Sequence, residues 1–179
     1  MSAVQMVQYQ SPHYNDRPQG TVVSLLVIHC ISLPAGNFGT PYIHDLFMGQ
    51  LDYEADPSFA SLAGVQVSAH LVIFRDGTVH QYVPFNKRAW HAGQSEFQGQ
   101  ANCNDYSIGI ELEGTEQVPY TEAQYQSLIQ VTALLCRFYP GITAERIVGH
   151  QQIAPGRKTD PGASFDWGRY LQAVKENNI

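Results

Sequence analysis

The chain has 179 residues, a hydrophobic fraction of 44% and a formal net charge of −6, which suits one domain spanning 1–179 that buries its own core. Its basic residues do not cluster, Lys87-Arg88 and Arg157-Lys158 being isolated pairs, so a surface built on several phosphate contacts is excluded and nucleic acid is not an expected partner. Three cysteines, Cys30, Cys103 and Cys136, are odd in number and far apart, which argues against a disulfide framework and for a reducing compartment.

Residues 1–20 are polar and hold two prolines, and are read as an irregular lead-in. They lack a basic stretch followed by an apolar one, so no secretory leader is read and a cytoplasmic location is expected. The run 22–31 (VVSLLVIHCI) is nearly all apolar and β-branched, the pattern of a buried central strand. It is far too short to cross a bilayer, and no membrane association is expected. Proline and glycine make 33–41 a loop. Residues 42–48 read as a short helix stopped by Gly49, and 50–66 give no clear pattern. VSAHLVIF (67–74) and TVHQYV (78–83) flank Arg75-Asp-Gly77, which signals a hairpin.

Residues 84–105 read as one long irregular loop, and a loop of that length carrying Trp90 is expected to be functional. SIGIELEG (107–114) alternates, with Ile108, Ile110 and Leu112 on one face and Glu111 and Glu113 on the other, away from the core. Thr121 and Gln124 form a capping box that opens a helix whose apolar positions are Tyr125, Leu128, Ile129, Leu135 and Phe138, ended by Pro140-Gly141. A turn near 143–146, a short strand 147–150 and a loop 151–163 follow. Asp166 is the expected cap of a last helix carrying Trp167, Tyr170, Leu171 and Val174. The fold class expected is mixed α/β, a single central mixed β-sheet flanked by helices. Nothing in these patterns requires a second chain, and a monomer is expected.

No HExxH, Walker, GxSxG or GxGxxG motif is present. The chemistry-bearing residues stand at strand ends and in loops. His29 lies late in an apolar strand, His150 follows Gly149, and Asp160 precedes Pro161. Two imidazoles and a carboxylate with an open fourth position are the donor set of a hydrolytic Zn2+ site, where a bound water becomes acidic near pH 7. Glu111 can move a proton from that water to a leaving amine, and Lys158, two residues before Asp160, can hold developing negative charge. The residues alone leave His70 and His91 as alternative ligands. His91 also suits a substrate wall or a support behind a ligand, and Trp90 either a sugar-binding face or core.

The blocks Ser11-Pro-His-Tyr14, Ser24-Leu-Leu-Val-Ile-His29, Val67-Ser-Ala-His70, Lys87-Arg-Ala-Trp-His-Ala-Gly93, Ser107-Ile-Gly-Ile-Glu-Leu-Glu-Gly114 and Arg157-Lys-Thr-Asp-Pro-Gly162 run nearly end to end. Together they resemble the type-2 amidase and peptidoglycan-recognition superfamily. The resemblance implies zinc ligands at His29, His150 and Asp160, a catalytic carboxylate at Glu111 and an oxyanion-stabilising Lys158. It also implies cleavage of the amide between 1,6-anhydro-N-acetylmuramic acid and L-alanine of muropeptides in cytoplasmic cell-wall recycling, with an effect on β-lactamase induction. His70, Trp90, His91, Gln66 and Asn102 are the expected substrate contacts. Relatives often carry arginines where Gln66 and Asn102 stand, and a polar residue at Cys30. The competing readings are a periplasmic amidase acting on intact murein and a non-catalytic peptidoglycan-binding module, a class that typically lacks a metal ligand.

Overall fold

The apolar run of residues 22–31 becomes β3 (Leu25–Ile31), a central strand of a six-stranded mixed sheet in the computed structural model, which describes residues 5–177. β3 lies parallel to β9 (Ser107–Glu113) on one side and to β10 (Ile147–Gly149) on the other. Beyond β9 come β4 (Leu71–Ile73), parallel to it, then β5 (Val79–Gln81), antiparallel to β4 through the Asp76-Gly77 turn. The edge strand is β1 (Met6–Gln8), parallel to β5.

Alternation sorts the strands into two buried faces. Leu26, Ile28, Leu71, Ile73, Ile108, Ile110 and Leu112 pack under helices α2 (Glu122–Phe138) and α4 (Trp167–Glu176), against Leu128, Val131, Leu135, Tyr170 and Val174. On the other face Leu25 and Val27 meet Ala92, Cys103, Tyr106 and Ile153. Val72 on that face meets α1 (Tyr42–Phe47) through Ile43 and Phe47. Because loops and α1 cover this second face, Glu113 is not turned to solvent as its alternation predicts. It is buried, and its carboxylate accepts from the backbone N–H groups of Gly39 (2.5 Å) and Arg75 (3.1 Å).

Caps form where the sequence places them. Thr121 Oγ1 accepts from Gln124 N at 3.1 Å, and Gln124 Oε1 accepts from Thr121 N at 3.1 Å. The Asp166 carboxylate accepts from Arg169 N at 2.9 Å. Four local expectations are corrected. The lead-in is not irregular: β1 and β2 (Tyr14–Asp16) are recruited by strands distant in sequence, β5 and β6 (Lys87–Ala89). The stretch 84–105 is not one loop, since it holds β6 and a hairpin of β7 (Glu96–Phe97) and β8 (Gln100–Ala101). That hairpin turns on Gln98 and Gly99 at φ 51° and 81°, the left-handed pair that a two-residue turn needs, without the usual Asn-Gly signal. Phe138, at the last turn of α2, is 68% exposed rather than core. His150 opens the short helix α3 (His150–Ile153) instead of ending a strand.

Candidate metal centre and active site

His29 sits on the loop-covered face of β3, the side-chain alternate of Leu25 and Val27. β10 pairs with β3 so that Gly149 stands opposite Ile28, and the chain then turns into α3, which brings His150 beside His29. Asp160 arrives on the following loop. Its carbonyl accepts from Gln151 N at 3.1 Å, while the next carbonyl, of Pro161, accepts from the Tyr120 hydroxyl at 2.8 Å. These bonds tie the loop to α3 and to the segment before α2.

The three side chains converge. His29 Nδ1 lies 3.0 Å from His150 Nδ1 and 3.1 Å from Asp160 Oδ2, and His150 Nδ1 lies 3.2 Å from the same carboxylate oxygen. Among the described residues these three form the one grouping of His, Cys, Asp and Glu able to hold a metal ion. The donor set fits zinc. Two bonds of about 2 Å at the tetrahedral angle separate their ends by about 3.3 Å, close to the spacings here. The outer nitrogens agree. His150 Nε2 faces the Ala92 carbonyl at 3.1 Å, which accepts only, so that nitrogen carries the proton and Nδ1 presents its lone pair.

Burial pulls the His29 imidazole down to about 4, against the hydrogen bond to Asp160 that pulls it up. Burial pushes the Asp160 carboxyl up, but the His150 and His29 rings beside it outweigh that and hold the group below the usual carboxylate range. The site is therefore a neutral imidazole at His29 beside an ionised carboxylate, the protonation a cation requires.

Glu111 stands opposite His29 in the β3–β9 register. Among the described residues its Oε2 is buried without a hydrogen-bond partner. Burial raises its pKa well above the usual value, and the neighbouring Asp160 charge raises it further, with Lys158 pulling the other way. A buried polar atom left free costs about 1–3 kcal/mol, and such a group beside a metal cluster is a candidate for proton transfer. Lys158 is exposed on the loop that carries Asp160.

The structure brings His29, His150, Asp160 and Glu111 together. It puts His70 elsewhere: fully buried, with Nδ1 accepting from Gly109 N (3.0 Å) and Nε2 facing the Lys87 carbonyl (3.0 Å), it has no ring nitrogen left for a ligand. His91 is likewise committed, between His29 (2.9 Å) and Ser107 Oγ (3.0 Å). Both rings are thus held by neighbouring groups of the chain through their nitrogens. Trp90 is half-buried, stacks on His13 at 6.1 Å and donates Nε1–H to Asn15 at 2.6 Å. Gln66 and Asn102 are exposed.

Sequence reasoning missed Arg17 and Asn104. The Arg17 guanidinium donates to the carbonyls of Phe85, Asn104, Asp105 and Ser107, pinning the loop that covers the site. The Asn104 side chain accepts from His91 N and Ala92 N at 3.1 and 2.8 Å. A lone arginine in a polar stretch carries no signal, and Asn104 lies in the stretch 84–105, which reads as an irregular loop.

His29 and Glu111 on adjoining strands, His150 on α3 and Asp160 on the loop after it make a donor set with a recessed carboxyl beside it, suited to metal-assisted hydrolysis. The N-acetylmuramoyl-L-alanine amidase family model matches residues 19–163. The 1,6-anhydro-N-acetylmuramyl-L-alanine amidase AmpD of Escherichia coli K12 is 58% identical over 166 residues, covering 93% of this chain and 90% of its own. The crystal structure of a selenomethionine derivative of AmpD superposes with a TM-score of 0.93 at 55% identity, covering 97% of this chain and 96% of the other. The amidase AmiD of E. coli, solved with the substrate anhydro-N-acetylmuramic acid-L-Ala-D-γ-Glu-L-Lys, superposes with a TM-score of 0.62 at 31% identity, over 88% of this chain and 60% of the other. The chain belongs to the N-acetylmuramoyl-L-alanine amidase family.

Proposed function

We propose that this chain is a zinc-dependent amidase that hydrolyses the bond between 1,6-anhydro-N-acetylmuramic acid and L-alanine of muropeptides. In this reading it acts as a monomeric single domain in cytoplasmic cell-wall recycling, and through that flux it affects β-lactamase induction. The observation that carries the reading is the meeting of His29 Nδ1, His150 Nδ1 and the Asp160 carboxylate within 3.2 Å of one another. The Glu111 carboxyl oxygen without a partner among the described residues, on the strand beside β3, supports it, as do the substrate for which AmpD is named and the one bound in the AmiD complex.

His29, His150 and Asp160 would hold the ion. When bound, zinc supplies an acidified water and polarises the amide carbonyl. Glu111 takes a proton at its unpartnered oxygen and returns it to the leaving amine, and its raised pKa suits both halves of that task. Lys158 stabilises negative charge on the substrate oxygen.

The test combines metal analysis of the purified protein with a digest of soluble anhydromuropeptide beside insoluble sacculus. About one zinc per chain and release of peptide from the soluble substrate are expected. Rapid turnover of sacculus alone would sink the recycling role. A protein that binds no zinc and stays inactive after zinc is added would restore the binding-module reading.

A further inference from the structure

The two metal-binding imidazoles have their outer nitrogens facing one short piece of backbone. His29 Nε2 lies 2.9 Å from His91 Nδ1, and His150 Nε2 lies 3.1 Å from the carbonyl of the next residue, Ala92. We propose that the dipeptide His91-Ala92 is a positioning clip that sets the tautomer and ring angle of both ligands at once. The inference rests on the metal reading above.

The proton order follows from the donors. With its Nδ1 lone pair turned to the cluster, His29 carries its proton on Nε2 and donates to His91 Nδ1. His91 then carries its own proton on Nε2 and donates to Ser107 Oγ at 3.0 Å. An imidazole that accepts in this way fixes the donor's orientation and makes its other nitrogen a better ligand.

The clip is itself built. Asn104 Oδ1 accepts from both clip amides. Arg157 donates to the Ala92 carbonyl at 2.6 Å and to the Gln94 carbonyl at 2.7 Å. Beneath the ring, β9 carries Gly109, where a Cβ would stand 2.5 Å from His91 Cγ and Nδ1. No side chain fits there while the His91 ring keeps its place, so glycine at 109 belongs to the clip. Ala92 is fully buried. Nothing here requires His91 to touch substrate.

The experiment titrates Zn2+ into metal-free protein against a chromophoric chelator, with thermal unfolding of the metal-free forms in parallel. In His91→Asn an amide oxygen stands where Nδ1 was, so the acceptor is kept; in His91→Leu it is lost. Zinc affinity is expected to fall about 10–100-fold in His91→Leu and to stay within about threefold of the parent in His91→Asn, while both metal-free variants unfold at similar temperatures. Parent-like affinity in His91→Leu, or an equal loss in His91→Asn, overturns the proposal. Should His91→Leu not fold, Asn104→Ala decides, since it leaves all three imidazoles in place. An affinity loss of about tenfold supports the clip, and unchanged affinity overturns it. A parent protein that takes up no zinc sinks the metal reading, and the clip with it.

Discussion

Asp160 and Glu111 are neighbouring carboxyls with opposite displacements of their pKa. Asp160 is held ionised by two imidazoles, whereas Glu111 is held toward its neutral form by burial and by Asp160 itself. This division predicts different losses. Asp160→Ala is expected to lose most bound zinc by metal analysis, and full retention would show that the ligand set is wrong. Glu111→Gln is expected to keep zinc and lose about 10²–10⁴-fold in kcat. The same variant has a second signature. A carboxyl whose folded pKa is raised contributes stability below its unfolded value of 4.5, and that contribution is lost as pH climbs through the raised value. Metal-free Glu111→Gln should therefore melt above the parent at pH 8 and lose that advantage toward pH 4. An equal or lower melting temperature at pH 8 would contradict the burial argument.

At the scale of elements, the start of α2 does more than begin a helix. Gln124 completes the capping box with its Oε1, and its Nε2 donates to the carbonyls of Ile73 (3.2 Å) and Glu113 (2.9 Å), so the helix is bolted to the ends of β4 and β9. Thr121→Ala is expected to cost about 1 kcal/mol in denaturant unfolding. Gln124→Ala is expected to cost about 3 kcal/mol, because two strand-end carbonyls lose their donor in a buried setting. Equal losses would show that only the cap matters. The stretch 84–105 makes the complementary point. Its short strands and backbone amides have little core-building pattern of their own, yet Arg17 and Asn104 hold it against the sheet.

For the whole molecule, three buried imidazoles set the response to acid. Burial lowers His29 to about 4 and His70 to about 3, and holds His91 well below its usual value. Depressed histidines contribute stability that is present above the unfolded value of 6.5 and lost as pH falls toward the folded values. Unfolding near pH 5.5 thus takes up about three protons there, and release from Glu111 offsets up to one. The metal-free protein is expected to lose about 3 kcal/mol per pH unit in this window. A flat stability profile between pH 6.5 and 5 would rule out the buried neutral cluster. Zinc should shift the loss to lower pH, since protons must displace it from His29 and His150.

Periodicity and caps are local, and they carried the central strands, the hairpin at Asp76-Gly77 and both capped helices from sequence alone. The resemblance of ordered blocks marked His29, His150 and Asp160 as ligands, while spacing left His70 and His91 in contention. Only the tertiary structure shows which groups those two rings meet. A ring nitrogen's partner is set by which backbone group lies opposite it, as Gly109 N does for His70 and His29 Nε2 for His91. The same holds for β1 and β2, whose partners lie far along the chain, and for Glu113, whose polar face is buried by a loop. Residue type and order determine which elements can form and which donors exist. Packing across the chain determines which donors meet, because hydrogen bonding and burial act on distance in space rather than on distance in sequence.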